Sequence, residues 1–189
     1  MAEITYQMVL STLQTVGLFV GIFYYILTLR NAQHTRELTL QSQELTRRAL
    51  EQSAETRQTQ LFMNIISVYT AKEYRKDVAN LMTMEFTDYD DFENKYGWRT
   101  NPDDNAVFNN AYQWLEGIGV LVRRGLIDPE LVFDLMYGWI IIYWEKYYPV
   151  FRGMREEWNP KMFEDLEFLY NEMKKLSETT GKDLSNYRM

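Results

Sequence analysis

"VGLFVGIFYYILTLRNAQHTREL" covers residues 16–38 and changes character within one helical turn. The residues up to Leu29 are almost all apolar or aromatic, whereas those from Arg30 onward are mostly charged, amide or hydroxyl side chains. Neither glycine nor proline, the residues that usually end a helix, occurs between Ile22 and Tyr96. The sequence therefore predicts that the solvent changes at Leu29 while the helix continues.

The stretch from Met8 to Leu29 carries no charged residue. At a helical rise of about 1.5 Å per residue it spans about 33 Å, close to the hydrocarbon core of a bilayer, which is about 30 Å thick. We therefore predict a transmembrane anchor over residues 1–30, with the lipid bilayer as its partner. A cleaved signal peptide is the alternative interpretation, but it requires a basic N-terminal region and a small-residue cleavage site, and the sequence has neither.

The charges on either side of this anchor predict its orientation. The residues before it include no Lys or Arg, whereas four arginines follow it closely. They are Arg30, Arg36, Arg47 and Arg48. Because positively charged residues are retained on the cytoplasmic side, we expect a single-pass protein of the cell membrane, with its N-terminus outside and the bulk of the chain in the cytoplasm.

A G-x-x-x-G pattern formed by Gly17 and Gly21 lies inside the anchor. Two glycines on one helical face let a second helix backbone approach closely. The pattern is therefore a candidate surface for membrane-helix packing, with another copy of the chain or a different membrane protein as the partner. A coincidence without a packing role is the alternative, because glycine is common in such helices.

Residues 31–60 are rich in good helix formers and predict a helical stalk about 45 Å long. Leu38, Leu45 and Ala49 fit a heptad, but polar residues occupy the seam positions that follow. Thr-Arg pairs recur at steps near eleven residues, a period that gives nearly straight or slightly right-handed packing. These pairs begin at Thr35, Thr46 and Thr56. A coiled coil with other copies and a solvated helix packed on another partner are both compatible with the pattern.

Residues 61–178 predict a small antiparallel helical bundle, followed by a tail at residues 179–189. Asparagine or aspartate followed by proline is a helix-start signal, and it occurs at Asn101-Pro102, Asp128-Pro129 and Asn159-Pro160. Gly125 is placed as the C-terminal cap of the helix before it. Because the connection that follows is short, we expect antiparallel neighbours.

The helix predicted from Pro129 to about Tyr148 is apolar on nearly all sides. Its uncharged run, from Leu135 to Trp144, is ten residues long, which is too short to cross a membrane. It is therefore predicted to be the central core helix and not a second span. Together these elements predict an all-α protein.

The chain offers little material for metal or cofactor chemistry. It has no Cys and a single His, His34, in the predicted stalk. The acidic stretch at residues 86–98 lacks the ligand spacing of an EF-hand loop, so we expect a solvated loop with at most one short helical turn. No phosphate-binding loop, nucleophile motif or dinucleotide fingerprint occurs. We expect no cofactor and no metal site.

Four charged residues on or near the aromatic helix form the candidate site: Glu116, Glu145, Arg152 and Arg155. Glu116 lies among apolar neighbours in the sequence, and a buried carboxylate must be paired or protonated. We expect Arg152 or Arg155 to form a core ion pair with Glu116 or Glu145. An acid/base pair or a ligand-binding arginine is the functional alternative to this structural pairing.

The stretch "YQWLEGIGVLVRRGLIDPELVFDLMYGWIIIYWEKYYPVFRGMRE", residues 112–156, resembles a prokaryotic family known only as a domain of unknown function. The shared elements are the "EGIGVLV" helix, the "RRGLID" turn and the "WEKY" helix end with an arginine pair after it. "TLRNAQHTREL" and "ETRQTQLF" are similar to the stalk of that family. The resemblance implies a membrane anchor, a Gln/Arg/Glu-rich helical stretch and a helical domain, and it implies no activity.

The net charge of −7 is carried entirely by the predicted bundle and tail, because residues 1–60 hold five arginines and five glutamates. An acidic domain is repelled by phosphate backbones, so we expect no nucleic-acid partner. The first functional hypothesis is a non-enzymatic scaffold or interaction module, either a homo-oligomer or an accessory subunit of a larger membrane complex. The alternative is an enzyme or small-molecule sensor with a pocket beside the aromatic helix and Arg152/Arg155.

Overall fold

The computed structural model describes residues 6–182, and the regular secondary structure in this range is entirely α-helical. Six helices follow one another: α1 (Tyr6–Thr70), α2 (Lys72–Thr83), α3 (Tyr89–Tyr96), α4 (Pro102–Arg123), α5 (Pro129–Glu157) and α6 (Glu164–Thr180). The predicted all-α class is confirmed. The chain divides into two compact units, one up to Glu55 and one from Thr56; the predicted boundaries at residues 30, 60 and 178 stay predictions.

Helix α1 continues from the apolar stretch into the polar one, as predicted for Leu29. It ends at Thr70, where Ala71 adopts an extended conformation (φ −61°, ψ 138°) and precedes α2. No glycine or proline marks this break. After this break, α2 carries Tyr74, whose hydroxyl accepts a hydrogen bond from Trp139 Nε1 at 2.9 Å. This contact links α2 to α5.

The acidic stretch at residues 86–98 contains helix α3, which corrects the expectation of a solvated loop. Asp88 begins the helix, because its carboxylate accepts a hydrogen bond from the backbone N–H of Asp91 at 2.9 Å. Phe92 is fully buried, with its ring 4.8 Å from that of Phe108 between centroids. Burial of this one aromatic side chain gives the segment an inner face, and the carboxylates occupy the outer one.

Helices α4 and α5 begin where the sequence predicts. The Asn101 side chain accepts from the N–H of Asp104 at 3.2 Å, and Asp128 accepts from the N–H of Glu130 at 2.9 Å. A proline occupies the first turn of each helix. Gly125, after α4, has the left-handed φ of 65° that a C-terminal cap requires. All of these signals are local, and the sequence alone is sufficient to locate them.

Helix α5 extends further than the sequence predicts. It ends at Glu157 and not near Tyr148, and it includes Pro149. Proline removes one helical hydrogen bond, but residues on both sides of it are buried and hold the helix together. Near its other end, α5 is kinked at Met136, where φ is −149° and ψ is 16°.

Helix α6 begins at Glu164, so the prediction that Asn159-Pro160 opens it is wrong. Phe163 lies immediately before the helix in the left-handed conformation, with φ of 62°. Its ring is buried against Phe151 and Tyr112, at centroid distances of 4.6 and 5.0 Å. Tertiary packing of this ring sets the helix start, which a local signal does not reveal. The predicted tail lies mostly outside the described residues.

Helix α5 forms the centre of the core, as predicted. Tyr143, Tyr147 and Phe151 follow one another along its inner face and are fully buried. The ring of Phe108, from α4, lies 5.2 Å from that of Tyr147 between centroids. Among the described residues no charged side chain is fully buried. The core is therefore built from aliphatic and aromatic side chains, with the aromatic ones concentrated along α5.

Two neighbouring side chains of α5 satisfy the last carbonyl groups of α2. The Tyr147 hydroxyl donates to the carbonyl oxygen of Leu81 at 2.9 Å, and Lys146 Nζ donates to that of Met82 at 2.6 Å. The last four carbonyls of a helix have no partner within it. These two contacts therefore stabilise the end of α2 and fix its position on α5.

We expect Tyr147→Phe to lower the free energy of unfolding by about 1–2 kcal/mol, because the buried carbonyl of Leu81 loses its donor. Tyr148→Phe is the matched control, since Tyr148 is 46% exposed on the same helix, and we expect it to change stability by less than about 0.5 kcal/mol. Urea denaturation of the full chain in detergent measures both. Equal effects of the two substitutions would contradict the capping role.

Candidate functional site

The first candidate site is the apolar part of α1. Among the described residues, one helix, α1, is long and apolar enough to cross a membrane. No residue of its apolar stretch is buried inside the protein. Phe19 and Phe23, for example, are each 66% exposed. The chain itself leaves this apolar surface uncovered, as an element that meets lipid would require.

Three threonine hydroxyl groups in this part of α1 are compatible with an apolar environment. Thr12, Thr15 and Thr28 each donate to the carbonyl four residues earlier, at 2.8 to 2.9 Å. A hydroxyl satisfied within its own helix does not need water. At Gly17 and Gly21 an added Cβ would meet no atom within 4 Å, so the G-x-x-x-G face is open surface, and its role in helix packing stays a prediction.

The polar part of α1 carries a small network of ion pairs. Arg47 contacts Glu44 at 3.1 Å and Glu51 at 3.2 Å, and Arg48 contacts Glu44 at 2.9 Å. Hydrogen bonds from Arg47 and Arg48 lower the pKa of Glu44. All four side chains are solvent-accessible, so the network holds these charges on one side of the helix more than it stabilises the fold.

The structure gives Arg155 a different partner from the predicted one. Its guanidinium donates to Glu167 at 2.7 Å and to the carbonyl of Met162 at 2.8 Å. It also lies 5.8 Å from the centre of the Trp144 ring. The expected pairing with Glu116 or Glu145 is thus corrected, because the turn before α6 places Met162 and Glu167 against this part of α5. Arg155 ties α5 to α6.

Glu116 also has other partners than the predicted arginines. Its carboxylate accepts hydrogen bonds from the backbone N–H groups of Leu166 at 2.8 Å and Asp165 at 3.3 Å. These N–H groups belong to the first turn of α6, where helical partners are missing and the helix dipole is positive. Burial nevertheless raises the pKa of Glu116, partly offset by the two backbone donors. The residue caps α6 from the neighbouring helix.

The other two predicted site residues lie on the surface of α5. Glu145 accepts from the Tyr170 hydroxyl at 3.4 Å, a long contact. Arg152 lies 3.9 Å from Glu156, and both side chains are more than two-thirds exposed. The structure therefore gives each of the four residues its own partners and brings no two of them together.

Sequence reasoning did not predict the role of Arg123 at the α4–α6 contact. Arg123 pairs with Asp165 at 2.9 Å and donates to the carbonyl of Glu164 at 2.7 Å. Its guanidinium also lies 4.8 Å from the centre of the Phe168 ring. The sequence signal for Arg123, a basic residue at a helix C-terminus, is common and does not point to a partner.

An open cleft of about 480 Å³ lies between α3 and α5. It is lined by Asp88, Tyr89, Asp90, Pro149, Arg152, Gly153, Glu156 and Glu157. Arg152 lines it and Arg155 does not. The Tyr89 hydroxyl donates to Glu157 at 2.6 Å, and burial together with this carboxylate raises the pKa of Tyr89 to about 12. Within residues 6–182, no three His, Cys, Asp or Glu side chains are grouped so that they could hold a metal ion.

The fold and these sites define an all-helical protein with one apolar helix that could span a membrane. The family model of a domain of unknown function (DUF4760) matches residues 11–173. The chain belongs to this family. No curated protein and no solved structure gives a significant match.

Glu116→Ala is expected to lower the free energy of unfolding by about 1–3 kcal/mol, because the N–H groups of Asp165 and Leu166 lose a charged acceptor. Gln113→Ala, at an exposed position of the same helix, serves as the control and should have little effect. Urea denaturation of the full chain in detergent measures both variants. A loss in Glu116→Ala no larger than that in Gln113→Ala would contradict the capping role.

The same carboxyl group is expected to make stability depend on pH. Because the pKa of Glu116 is raised in the folded state, the folded protein binds this proton more tightly than the unfolded chain does. The contribution of this proton to the stability of the folded protein is present at low pH and is lost as the pH rises through the pKa of Glu116 in the folded state. Relative to Glu116→Gln, the wild-type free energy of unfolding should therefore fall as the pH is raised from 4.5, the usual carboxyl pKa. Parallel pH profiles of the two proteins would contradict this.

Proposed function

We propose that the chain is a single-pass protein of the cell membrane and acts as a non-enzymatic interaction module. In this proposal the apolar part of α1 is embedded in the bilayer, and the bundle binds a protein partner. The partner is a second copy of the chain or another subunit of a membrane complex. The observation that carries the proposal is the apolar surface of α1, none of which the protein covers.

The distribution of charge supports the orientation. The described residues before the apolar stretch have no basic side chain, whereas Arg30, Arg36, Arg47 and Arg48 follow it on the same helix. Basic residues close to a span favour the cytoplasmic side. The bundle, with its excess of acidic residues, then lies in the cytoplasm.

The packing of the bundle supports an interaction role over catalysis. The surroundings of Trp144 are occupied by the rings of Phe151 and Tyr170, at centroid distances of 5.2 and 5.6 Å, and by the Arg155 guanidinium. Trp139 is 8% exposed and its N–H is satisfied by Tyr74. The space around Trp139, Trp144 and Arg155 is therefore filled with side chains that stabilise the fold.

Labelling of a single cysteine tests the orientation, since the natural chain has none. Ala79→Cys lies at an exposed position of α2. In intact cells it should react with a membrane-impermeant maleimide only after permeabilisation. Reaction in intact cells would overturn the proposed orientation.

Chemical crosslinking in native membranes, followed by mass spectrometry, tests the interaction role. Mixing isotopically labelled and unlabelled chains separates links between copies from links within one. We expect links to other copies or to other membrane subunits. Links confined to single chains would contradict the interaction role.

A second candidate, small-molecule binding, is favoured by the cleft between α3 and α5. Arg152 lines this cleft and its closest ion-pair contact, with Glu156, is a loose 3.9 Å. Native mass spectrometry of the full chain purified from its membranes tests this candidate. A bound small molecule that disappears in Arg152→Ala, but not in Arg99→Ala, would favour a sensor over a scaffold.

A further inference from the structure

We propose that α1 pairs with α1 of a second copy of this chain through one continuous face, which we call the seam. The seam has two sets of positions, each repeating every seven residues. One set is Ser11, Leu18, Tyr25, Ala32, Thr39, Thr46 and Ser53, and the other is Gln14, Gly21, Thr28, Thr35, Ser42 and Ala49. This inference rests on the proposed membrane span and specifies its partner.

The spacing of the seam is that of a left-handed helix pair. Its positions alternate at steps of three and four residues, the 3.5-residue period at which two helices stay in contact along their length. The period runs without a shift from the apolar part of α1 into its polar part. Leu38 and Leu45 lie directly beside the seam and are 52% and 66% exposed. Pairing would cover them.

Gln14 is an independent reason to expect a partner. It lies within the uncharged stretch of α1, between Met8 and Leu29. Nearby Thr12 and Thr15 donate to carbonyls of their own helix, but the Gln14 carboxamide has no hydrogen-bond partner among the described residues. A polar side chain inside the hydrocarbon region needs a bonded partner. Gln14 occupies a seam position, so a second helix at the seam would supply one.

The chemistry of the carboxamide favours a second copy as that partner. An amide is both a donor and an acceptor, so two Gln14 side chains related by a two-fold axis can bond to each other reciprocally. Glutamine side chains are known to join membrane helices in this manner. The seam also brings Gly21 to the next position of the same set, where the backbones can approach closely.

The charges of α1 are arranged so that two copies do not repel each other at the seam. Between residues 30 and 55 the charged side chains are Arg30, Arg36, Glu37, Glu44, Arg47, Arg48, Glu51 and Glu55, and none of them occupies a seam position. Ion pairs among Glu44, Arg47, Arg48 and Glu51 hold four of these charges away from the seam. Absence of like charges at the contact permits pairing of identical helices.

Three of the hydroxyl groups on the seam do not oppose its burial. Thr28, Thr39 and Thr46 donate to the carbonyls of Tyr24, Thr35 and Ser42, at 2.8 to 2.9 Å. Each hydroxyl proton therefore stays bonded when water is removed from the seam. The recurring Thr-Arg pairs also fit this arrangement, because Thr35 and Thr46 both lie on the seam.

Disulfide crosslinking tests the seam directly, because the chain contains no natural cysteine. Thr35→Cys and Ser42→Cys lie on the seam, and Gln33→Cys and Leu40→Cys lie on the other side of the same helix. Each variant of the full chain is oxidised with copper phenanthroline in native membranes. We expect a disulfide-linked dimer, at twice the chain mass of 22.7 kDa, for the two seam variants and not for the two controls.

A second substitution tests the part played by Gln14. Added to Thr35→Cys, the change Gln14→Leu should reduce the dimer association constant about ninefold, a factor of about three for each of the two reciprocal hydrogen bonds, and the dimer yield with it. Gln14→Asn keeps the amide and should reduce the yield less. Equal yields in the Leu and Asn variants would overturn the role of the amide.

Extraction with alkaline carbonate separates failure of the seam from failure of the anchor. Equal crosslinking on both sides of α1, or none on either, in chains that stay in washed membranes overturns the seam and leaves the anchor intact. A seam cysteine that links only to a different protein overturns the assignment to a second copy. A chain that is removed by carbonate overturns the membrane anchor, and the argument from Gln14 with it.

Discussion

Gly119→Ala is expected to lower the free energy of unfolding by about 3 kcal/mol, at the upper end of the usual cost of overpacking. The reason is a close approach of α4 to α6. A Cβ at Gly119 would lie 2.1 Å from the carbonyl oxygen of Asp165 and 2.6 Å from its carbonyl carbon. Both atoms belong to the backbone, so no side-chain rotation relieves the contact. The two helices must move apart.

That separation would also disturb the polar contacts on either side of Gly119. The carboxylate of Glu116 would be drawn away from the first turn of α6, and Arg123 from Asp165. Urea denaturation of the full chain in detergent, followed by far-ultraviolet circular dichroism, measures the loss. One glycine therefore sets the spacing of this helix pair.

Gly117 provides the matched control for this substitution, two residues away on the same helix. A Cβ there would meet no atom within 4 Å, and alanine favours a helix over glycine by up to about 1 kcal/mol. Gly117→Ala should therefore raise stability slightly, so the two substitutions differ in sign. Similar effects of both would contradict the close contact between α4 and α6.

The difference between these two glycines illustrates what the sequence reveals and what it does not. Gly119 follows Leu115 by four residues and precedes Val122 by three, so it lies on the apolar side of α4, whereas Gly117 lies on the polar side. This pattern predicts which glycine faces the protein interior. It does not predict that a backbone carbonyl of α6 lies against it, because that depends on how the two helices pack.

The same distinction explains which helix ends could be predicted. The starts of α4 and α5 depend on Asn101 and Asp128, each of which bonds to a backbone N–H two or three residues later. All residues of such a signal lie within one helical turn, so they can be recognised from the local sequence. The start of α6 depends on the ring of Phe163 and its contacts with other helices. A prediction from local residues therefore placed that start too early, at Asn159-Pro160.

The observed start of α6 also determines which partners Glu116 has. With α6 starting at Glu164, the N–H groups of Asp165 and Leu166 face Glu116. Arg155 is then bonded to Glu167. The partners of both residues come from α6 and the turn before it, and the sequence does not show how these pack against α4 and α5.

Introducing arginine at Phe19 and Phe23 is expected to prevent stable insertion of α1 into the membrane. Each arginine near the centre of a span costs about 2.5–3.5 kcal/mol in insertion free energy, and each 1.4 kcal/mol is a factor of ten in the equilibrium. Both positions are 66% exposed and lie outside the seam, so helix pairing is not altered directly. We expect Phe19→Arg/Phe23→Arg to be extracted by alkaline carbonate, whereas the wild type stays with the membranes.

The control must add the same charge to the same helix without placing it in lipid. Leu40→Arg/Leu50→Arg does so, because both leucines lie beyond Arg30, are 57% and 67% exposed, and are also outside the seam. If the solvent changes at Leu29 while the helix continues, this variant stays with the membranes as the wild type does. Extraction of both variants would attribute the effect to charge alone, and extraction of neither would mean that the exposed apolar surface of α1 does not lie in a bilayer. A helix that leaves the lipid near Leu29 predicts that carbonate extracts the Phe19→Arg/Phe23→Arg variant and does not extract the Leu40→Arg/Leu50→Arg variant.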